Sequence, residues 1–158
     1  MVHNARNVLA DCRHALHLLQ DEVRPDTFRV LWVAAVSLAR AVGHVLQKVD
    51  AEQNDAVKRA ATSAYGAWKT DKPGNAIFWD FIEEERNRVL KQYEAGFFSG
   101  SVDVLAGGEI HSLDENLFCP ITDGRFAGED CRDILEQAIE WWERQVSEIE
   151  AAALSEAM

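Results

Sequence analysis

The chain has 158 residues, 27 acidic against 16 basic, and a formal net charge of −11. That length suits one domain with its own core, and an apolar share of 47% is ordinary for a globular protein. A charge of this sign repels nucleic acid at long range, which excludes a protein that coats RNA or DNA over its whole surface. The charge is unevenly spread: residues 1–99 carry 13 basic and 13 acidic residues, whereas 100–158 carry 3 and 14. Any polyanion site therefore belongs on the N-terminal helices, and the acids near the end serve to keep a helix soluble.

Cys12, Cys119 and Cys131 are an odd set without metal-type spacing, and the reading is free thiols in a reducing cytoplasm. Arg6 comes early with no apolar segment around it, so no signal peptide is expected. The longest apolar run, near Val30 to Leu46, is interrupted by Arg40 and His44, which speaks against a membrane span.

In chain order, Val8, Leu9, Cys12, Leu16 and Leu19 predict a first helix from about Asn4 to Gln20. His14, His17 and Asp21 share its polar face; the residue types suit a metal, but the spacing reads as a solvated surface. Arg24-Pro25-Asp26-Thr27 breaks the chain before a second helix from about Thr27 to Val49. Apolar and small residues cover more than half its circumference, which marks it as central. Its other arc carries Arg29, Ser37, Arg40, His44 and Lys48 without an acid, the best basic stripe in the sequence.

Asp50 with Gln53 three residues on reads as the cap of a third helix that runs to about Trp68. After the breaker Lys69–Gly74, Asn75 is the expected cap of a fourth helix and Gly96 its stop. Phe78, Ile82, Val89 and Tyr93 predict its apolar face, widened by Trp79, Phe81 and Leu90. Glu85 and Arg86 break the pattern: both charges point at the apolar side, where they need partners.

The helical period then disappears until Gly128. Val102–Leu105 and Leu117–Ile121 are candidate strands, with turns at Ser99-Gly100, Gly107-Gly108 and Asp123-Gly124. A last helix begins near Glu129, with Cys131, Ile134, Leu135, Ala138, Ile139, Trp141, Trp142, Val146 and Ile149 on one face. The expected fold is one all-α domain over 1–158, an up-and-down bundle of about five helices with a short β-hairpin-like insertion before the last.

The stretch from Arg86 to Tyr93 resembles the signature of the HEPN superfamily (higher eukaryotes and prokaryotes nucleotide-binding domains). That signature is an Arg, a polar residue, a His four to six residues after the Arg and often a Tyr. Here Arg86, Asn87 and Tyr93 take the matching places, and Lys91 stands where the family has histidine. The resemblance implies a helical bundle that dimerises across the motif helices. It also implies either metal-independent RNase activity or binding of nucleotides or RNA.

Cleavage by a 2′-hydroxyl needs a group that exchanges a proton near neutral pH; imidazole does so, and an ammonium with an ordinary pKa of about 10.4 does not. Lys91 is therefore expected as a phosphate or carboxylate contact, and standard RNase catalysis as lost. His44, four residues from Arg40 on one face, is the alternative imidazole for an active RNase. The candidate binding residues are Arg86, Asn87, Lys91, Tyr93, Arg40 and His44. The expected partners are a second copy of the chain and RNA, a nucleotide or a protein, with no membrane, metal or cofactor. The competing reading is a non-enzymatic interaction protein that uses the acidic last helix or the 97–128 segment. No Gly-rich phosphate loop or Ser-His-Asp arrangement is present.

Overall fold

The computed structural model describes residues 1–156. Its five main helices are α1 (His3–Gln20), α2 (Pro25–Val45), α3 (Asp55–Thr70), α4 (Glu84–Gln92) and α5 (Cys131–Glu156). α2 continues through a π-helical turn, Leu46–Asp50, and a last turn, Ala51–Gln53. A longer π-helical segment, Ile77–Glu83, leads into α4. α1 packs on α2 and α5, α3 on α5, and α4 on α2, so α2 and α5 form the centre of the bundle.

The amphipathic stripes read from sequence are the ones buried. Leu9, Cys12, Leu16 and Leu19 of α1 meet Phe28, Trp32, Ala35, Ala39 and Val42 of α2 in one continuous core with the apolar face of α5. Burying each large side chain stabilises the fold by about 1.5–3 kcal/mol, and aromatic pairs add about 0.5–1.5 kcal/mol through their ring geometry. Trp68, Phe78, Trp141 and Trp142 all touch, with centroids 4.8–5.9 Å apart. Trp141 and Trp142 thus close the core of a single chain, a point the sequence left open between core and subunit contact. The segment Pro25–Gln53 is long and apolar enough to cross a membrane by length and composition, and here one face of it is buried in this core.

Several expected boundaries are corrected. Asp50 does not cap α3. It is buried at the end of the α2 extension, where Oδ1 accepts from the backbone N–H of Asn4 (3.1 Å) and Oδ2 from that of Ala5 (2.8 Å). A carboxyl placed at the N-terminus of α1 satisfies orphan N–H groups and complements the helix dipole. The π turn lets α2 run on past the expected break, and Asn54 caps α3, its Oδ1 accepting from Ala56 and Val57 N–H.

Asn75 is not a cap either. Its Oδ1 accepts from Trp141 Nε1 (3.2 Å) and its amide donates to Asp71 O (2.8 Å). α4 stops not at Gly96 but at Tyr93, which adopts the left-handed conformation (φ 54°) and returns its N–H to Val89 O. Leu90 and Tyr93, expected on the buried face with Val89, are exposed: Val89 alone of the three is buried, and Tyr93 lies beyond the last helical residue.

The hairpin exists with one strand moved. β1 (Val102–Ala106) pairs antiparallel with β2 (Glu109–Leu113), Val102 opposite Leu113 and Leu105 opposite Ile110. Gly107 and Gly108 both have positive φ (60° and 82°), as a two-residue turn between twisted strands requires. The expected strand at Leu117–Ile121 is only a pair of isolated bridges, Phe97 to Ile121 and Pro120 to Asp130.

These bridges hold the long connection against the start of α5. There the Asp130 carboxyl accepts from Cys119 N, Arg132 N, Arg132 Nε and Arg132 Nη2 at 2.8–2.9 Å. Burial pushes this carboxyl up, but those hydrogen bonds outweigh it and hold it below its ordinary value. All three cysteines are free and buried, and burial pushes the Cys12 thiol up to about 12.

Candidate functional site

Glu85 and Arg86 lie one residue apart, and their surroundings differ completely. Glu85 is buried in the α2–α4 contact, where Oε1 accepts from Trp32 Nε1 (2.9 Å) and from Gly96 N (2.8 Å). A Cβ at position 96 would come within 2.4 Å of Glu85 Oε2, so the chain can return this close to the carboxyl only with glycine there. The charge aimed at the apolar side is therefore answered by two N–H donors, not by Arg86.

Arg86 is half-buried. Its Nη1 donates to Asn87 Oδ1 (2.9 Å), and among the described residues it forms no ion pair. No pairing with Glu85 or with an acid on a neighbouring helix is formed among the described residues. It lies within electrostatic reach of His44 on α2, together with Arg40, Lys48 and Glu83. Arg40 Nε bonds Glu83 Oε1 (2.7 Å), and its guanidinium also lies 5.7 Å from the centre of the Phe78 ring.

Three of the six candidate residues, Arg40, His44 and Arg86, thus share one electrostatic neighbourhood, a cluster in which Glu83, itself ion-paired to Arg40, is the only acid acting on His44. Desolvation first, then Arg40 and Arg86, hold the His44 imidazole below its ordinary value, while Glu83 pulls the other way. Arg86, which has no carboxylate partner among the described residues, and the His44 imidazole can both donate to an arriving anion.

Asn87 belongs to the cluster through its bond to Arg86. Lys91 and Tyr93 do not. Both are exposed further along α4, and neither is among the groups that act on His44. Arg29 of the expected stripe sits at the far end of α2, in an open hollow with Phe28, Glu94 and Phe97. His14, His17 and Asp21 are exposed, and no metal-holding group of three His, Cys, Asp or Glu occurs among the described residues.

Sequence reasoning missed a cavity of about 130 Å³ beside the cluster. Arg40, Gly43 and Gln47 of α2 form one side, and Tyr65, Trp68, Phe78 and Trp142 supply aromatic walls. These rings were assigned to apolar faces, and helical periodicity cannot show that they leave a space between them. The available signal was the glycine in the 40, 43, 47 row, since a Cβ at Gly43 would meet Trp142 Cη2 at 2.9 Å. Trp142 Nε1 is the one buried side-chain polar atom without a hydrogen-bond partner among the described residues. Comparison of the chain with protein-family models, curated proteins and solved structures gave no match.

Proposed function

We propose that the protein is a HEPN-like, up-and-down helical bundle that binds a phosphate-bearing ligand, a nucleotide or RNA, at the α2–α4 face. It does so without standard RNase catalysis. The observation that carries this reading is the half-buried guanidinium of Arg86. It has no carboxylate partner and stands with Arg40 and His44, where one phosphate would satisfy donors from two helices. Such a group is costly to dehydrate and is ordinarily held by an acid. The position of Lys91, which stands in the motif's histidine place but is exposed and apart from Arg40 and His44, supports the loss of catalysis. A toxin–antitoxin or defence role would follow from the same resemblance.

A second copy of the chain is the proposed partner, packed across α4. Leu90 (55% exposed) and Tyr93 (67% exposed) leave an apolar edge on that helix for it to cover. The test pairs sizing by light scattering with titration of a short single-stranded RNA and of nucleotides into the wild type, Arg86→Ala and Asn87→Ala. The reading expects a dimer, an affinity weakened in both variants while they stay folded, and intact RNA afterwards. RNA cut by the wild type and spared by His44→Ala would replace it with an RNase that uses His44.

The alternative, a non-enzymatic interaction protein, is favoured by the hairpin. Its opposed Leu105 and Ile110 are 75% and 74% exposed. A monomer without affinity for RNA or nucleotides would favour that reading.

A further inference from the structure

We propose that Cys119 and Cys131 form a redox-sensitive dithiol, which hydrogen peroxide closes into a disulfide that clasps the long connection to the first turn of α5. The inference goes beyond the reading of the basic cluster and stands independently of any ligand there.

The backbone brings the two side chains together. Pro120 and Asp130 form an antiparallel bridge, flanked by hydrogen bonds from Ile121 N to Glu129 O and from Cys131 N to Cys119 O, each 2.9 Å. The rung next to that bridge sets Cys119 opposite Cys131. Opposed residues of an antiparallel pair stand about 4.5–5.5 Å apart at Cα, inside the roughly 4.4–6.8 Å that a disulfide spans, and their side chains share a face. The two thiols are in hydrogen-bonding contact.

The surroundings distinguish the two sulfurs. The hydrogen bond from the Cys131 thiol, helped by the Arg132 guanidinium, holds the Cys119 thiol below its ordinary value against burial and Asp130. Burial, then the same hydrogen bond, pushes Cys131 up. Cys119 is thus the attacking sulfur and Cys131 the resolving one. Cys12 is the internal contrast: its thiol donates to Ala35 O (3.4 Å), and neither other cysteine acts on it.

Access comes through the connection. Cys119 is buried between Phe118 and Pro120, which are both partly exposed, in a stretch without helix or strand. Local opening of such a segment admits peroxide to Cys119, and reclosing returns the sulfur to Cys131. The Cys119 thiolate attacks one peroxide oxygen. An S–O bond forms, the O–O bond breaks, and the departing hydroxide takes the thiol's proton to become water. The Cys131 sulfur then attacks the sulfenic sulfur. The S–S bond forms, the S–O bond breaks, and a second water carries off the Cys131 proton. Two electrons pass from the sulfurs to the peroxide, and a thiol reductant reverses the change. Within the closed loop Asp123 pairs with Arg88 of α4 and Arg125 with Asp80 of its lead-in, so the clasp restrains the turn that leans on α4.

The experiment treats the full chain, wild type and Cys12→Ser, with hydrogen peroxide, then maps the cysteines by mass spectrometry beside a non-reducing gel. Both chains should lose about 2 Da, form no covalent dimer and yield one linked pair, Cys119 with Cys131; dithiothreitol should restore the mass. The oxidised chain should melt roughly 5–10 °C above the reduced one, the effect of closing a loop of roughly 15 residues. Cys119→Ser should abolish the link, and if that variant does not fold, the linked peptide of Cys12→Ser still decides. Thiols that all survive, a link through Cys12 or between chains, or sulfinic acid at Cys119 beside an untouched Cys131 would overturn the pair. A Cys119–Cys131 link with no rise in melting temperature would overturn the clasp.

Discussion

The two ends of the α2–α4 contact solve opposite problems with neighbouring residues. At one end Glu85 is buried and answered: its Oε1 accepts from the N–H groups of Trp32 and Gly96. At the other end Glu83 holds Arg40, and Arg86, which acts on His44 from the neighbouring helix, keeps no carboxylate partner among the described residues, so an anion there would find an unanswered guanidinium. The difference separates stability from recognition. A charge that the protein itself has answered holds the fold, and a charge left unanswered at a half-buried position is available to a ligand.

The comparison breaks most visibly at position 85. Glu85→Ala leaves two buried N–H donors without an acceptor, a cost of roughly 2–6 kcal/mol at about 1–3 kcal/mol each. Glu85→Gln keeps the acceptor oxygen and should lose less than half as much. Chemical denaturation checks both, and an alanine variant within about 1 kcal/mol of wild type would mean that the knot is ornamental.

Asp50 is the second answered acid, and Asp50→Ala should cost about 1–2 kcal/mol by uncapping α1 from a distance. Hydrogen exchange of the Asn4 and Ala5 amides should rise along with it. Arg86→Ala should do the reverse of Glu85→Ala: stability within about 0.5 kcal/mol of wild type, and affinity for the titrated nucleotides down about tenfold, the worth of one charge-assisted contact. A variant that melts instead would put Arg86 on the structural side of the comparison.

The smallest effect is in pH. His44 is held below its ordinary value in the free protein, so between that value and the folded one the unfolded chain binds more protons, and acid slightly destabilises the fold. A bound phosphate reverses the field and raises the imidazole again. Binding therefore takes up a proton, and affinity should rise as pH falls from 8 to about 6, a slope that His44→Gln removes. A flat profile in the wild type would place His44 outside the site.

Much of the bundle was legible because burial follows a 3.6-residue period. Leu9, Cys12, Leu16 and Leu19, and the run from Ile134 to Ile149, needed only that rule. The errors cluster where the period changes. Asp50 was read as a local cap because an acid followed by Gln three residues on is a common pattern, and its true partners are 45 and 46 residues away. Leu90 and Tyr93 were placed on the buried face by continuing the period from Phe78, and the helix ends at Gln92, before Tyr93 is reached. Within the site, Arg40 and His44 were named from the stripe on one helix and Arg86 from the motif and the misplaced charge on another; that His44 feels both guanidinium groups is known from the fold alone. The cavity was not legible, because a void belongs to no single residue. Lys91 and Tyr93 entered through the motif alone and lie apart from the cluster.

The π-helical segment before α4 acts as a one-residue insertion, roughly 100° of rotation stored in the backbone. Remove a single codon from it and the surplus residue is gone: the segment can close into ordinary α-helix, and Glu85 and Arg86 keep their slots. Deletion of Glu84, in the regular helix beyond it, has no surplus to draw on and would bring Arg86 to the place of Glu85, turning a guanidinium made only of donors against the indole N–H of Trp32 and the amide of Gly96.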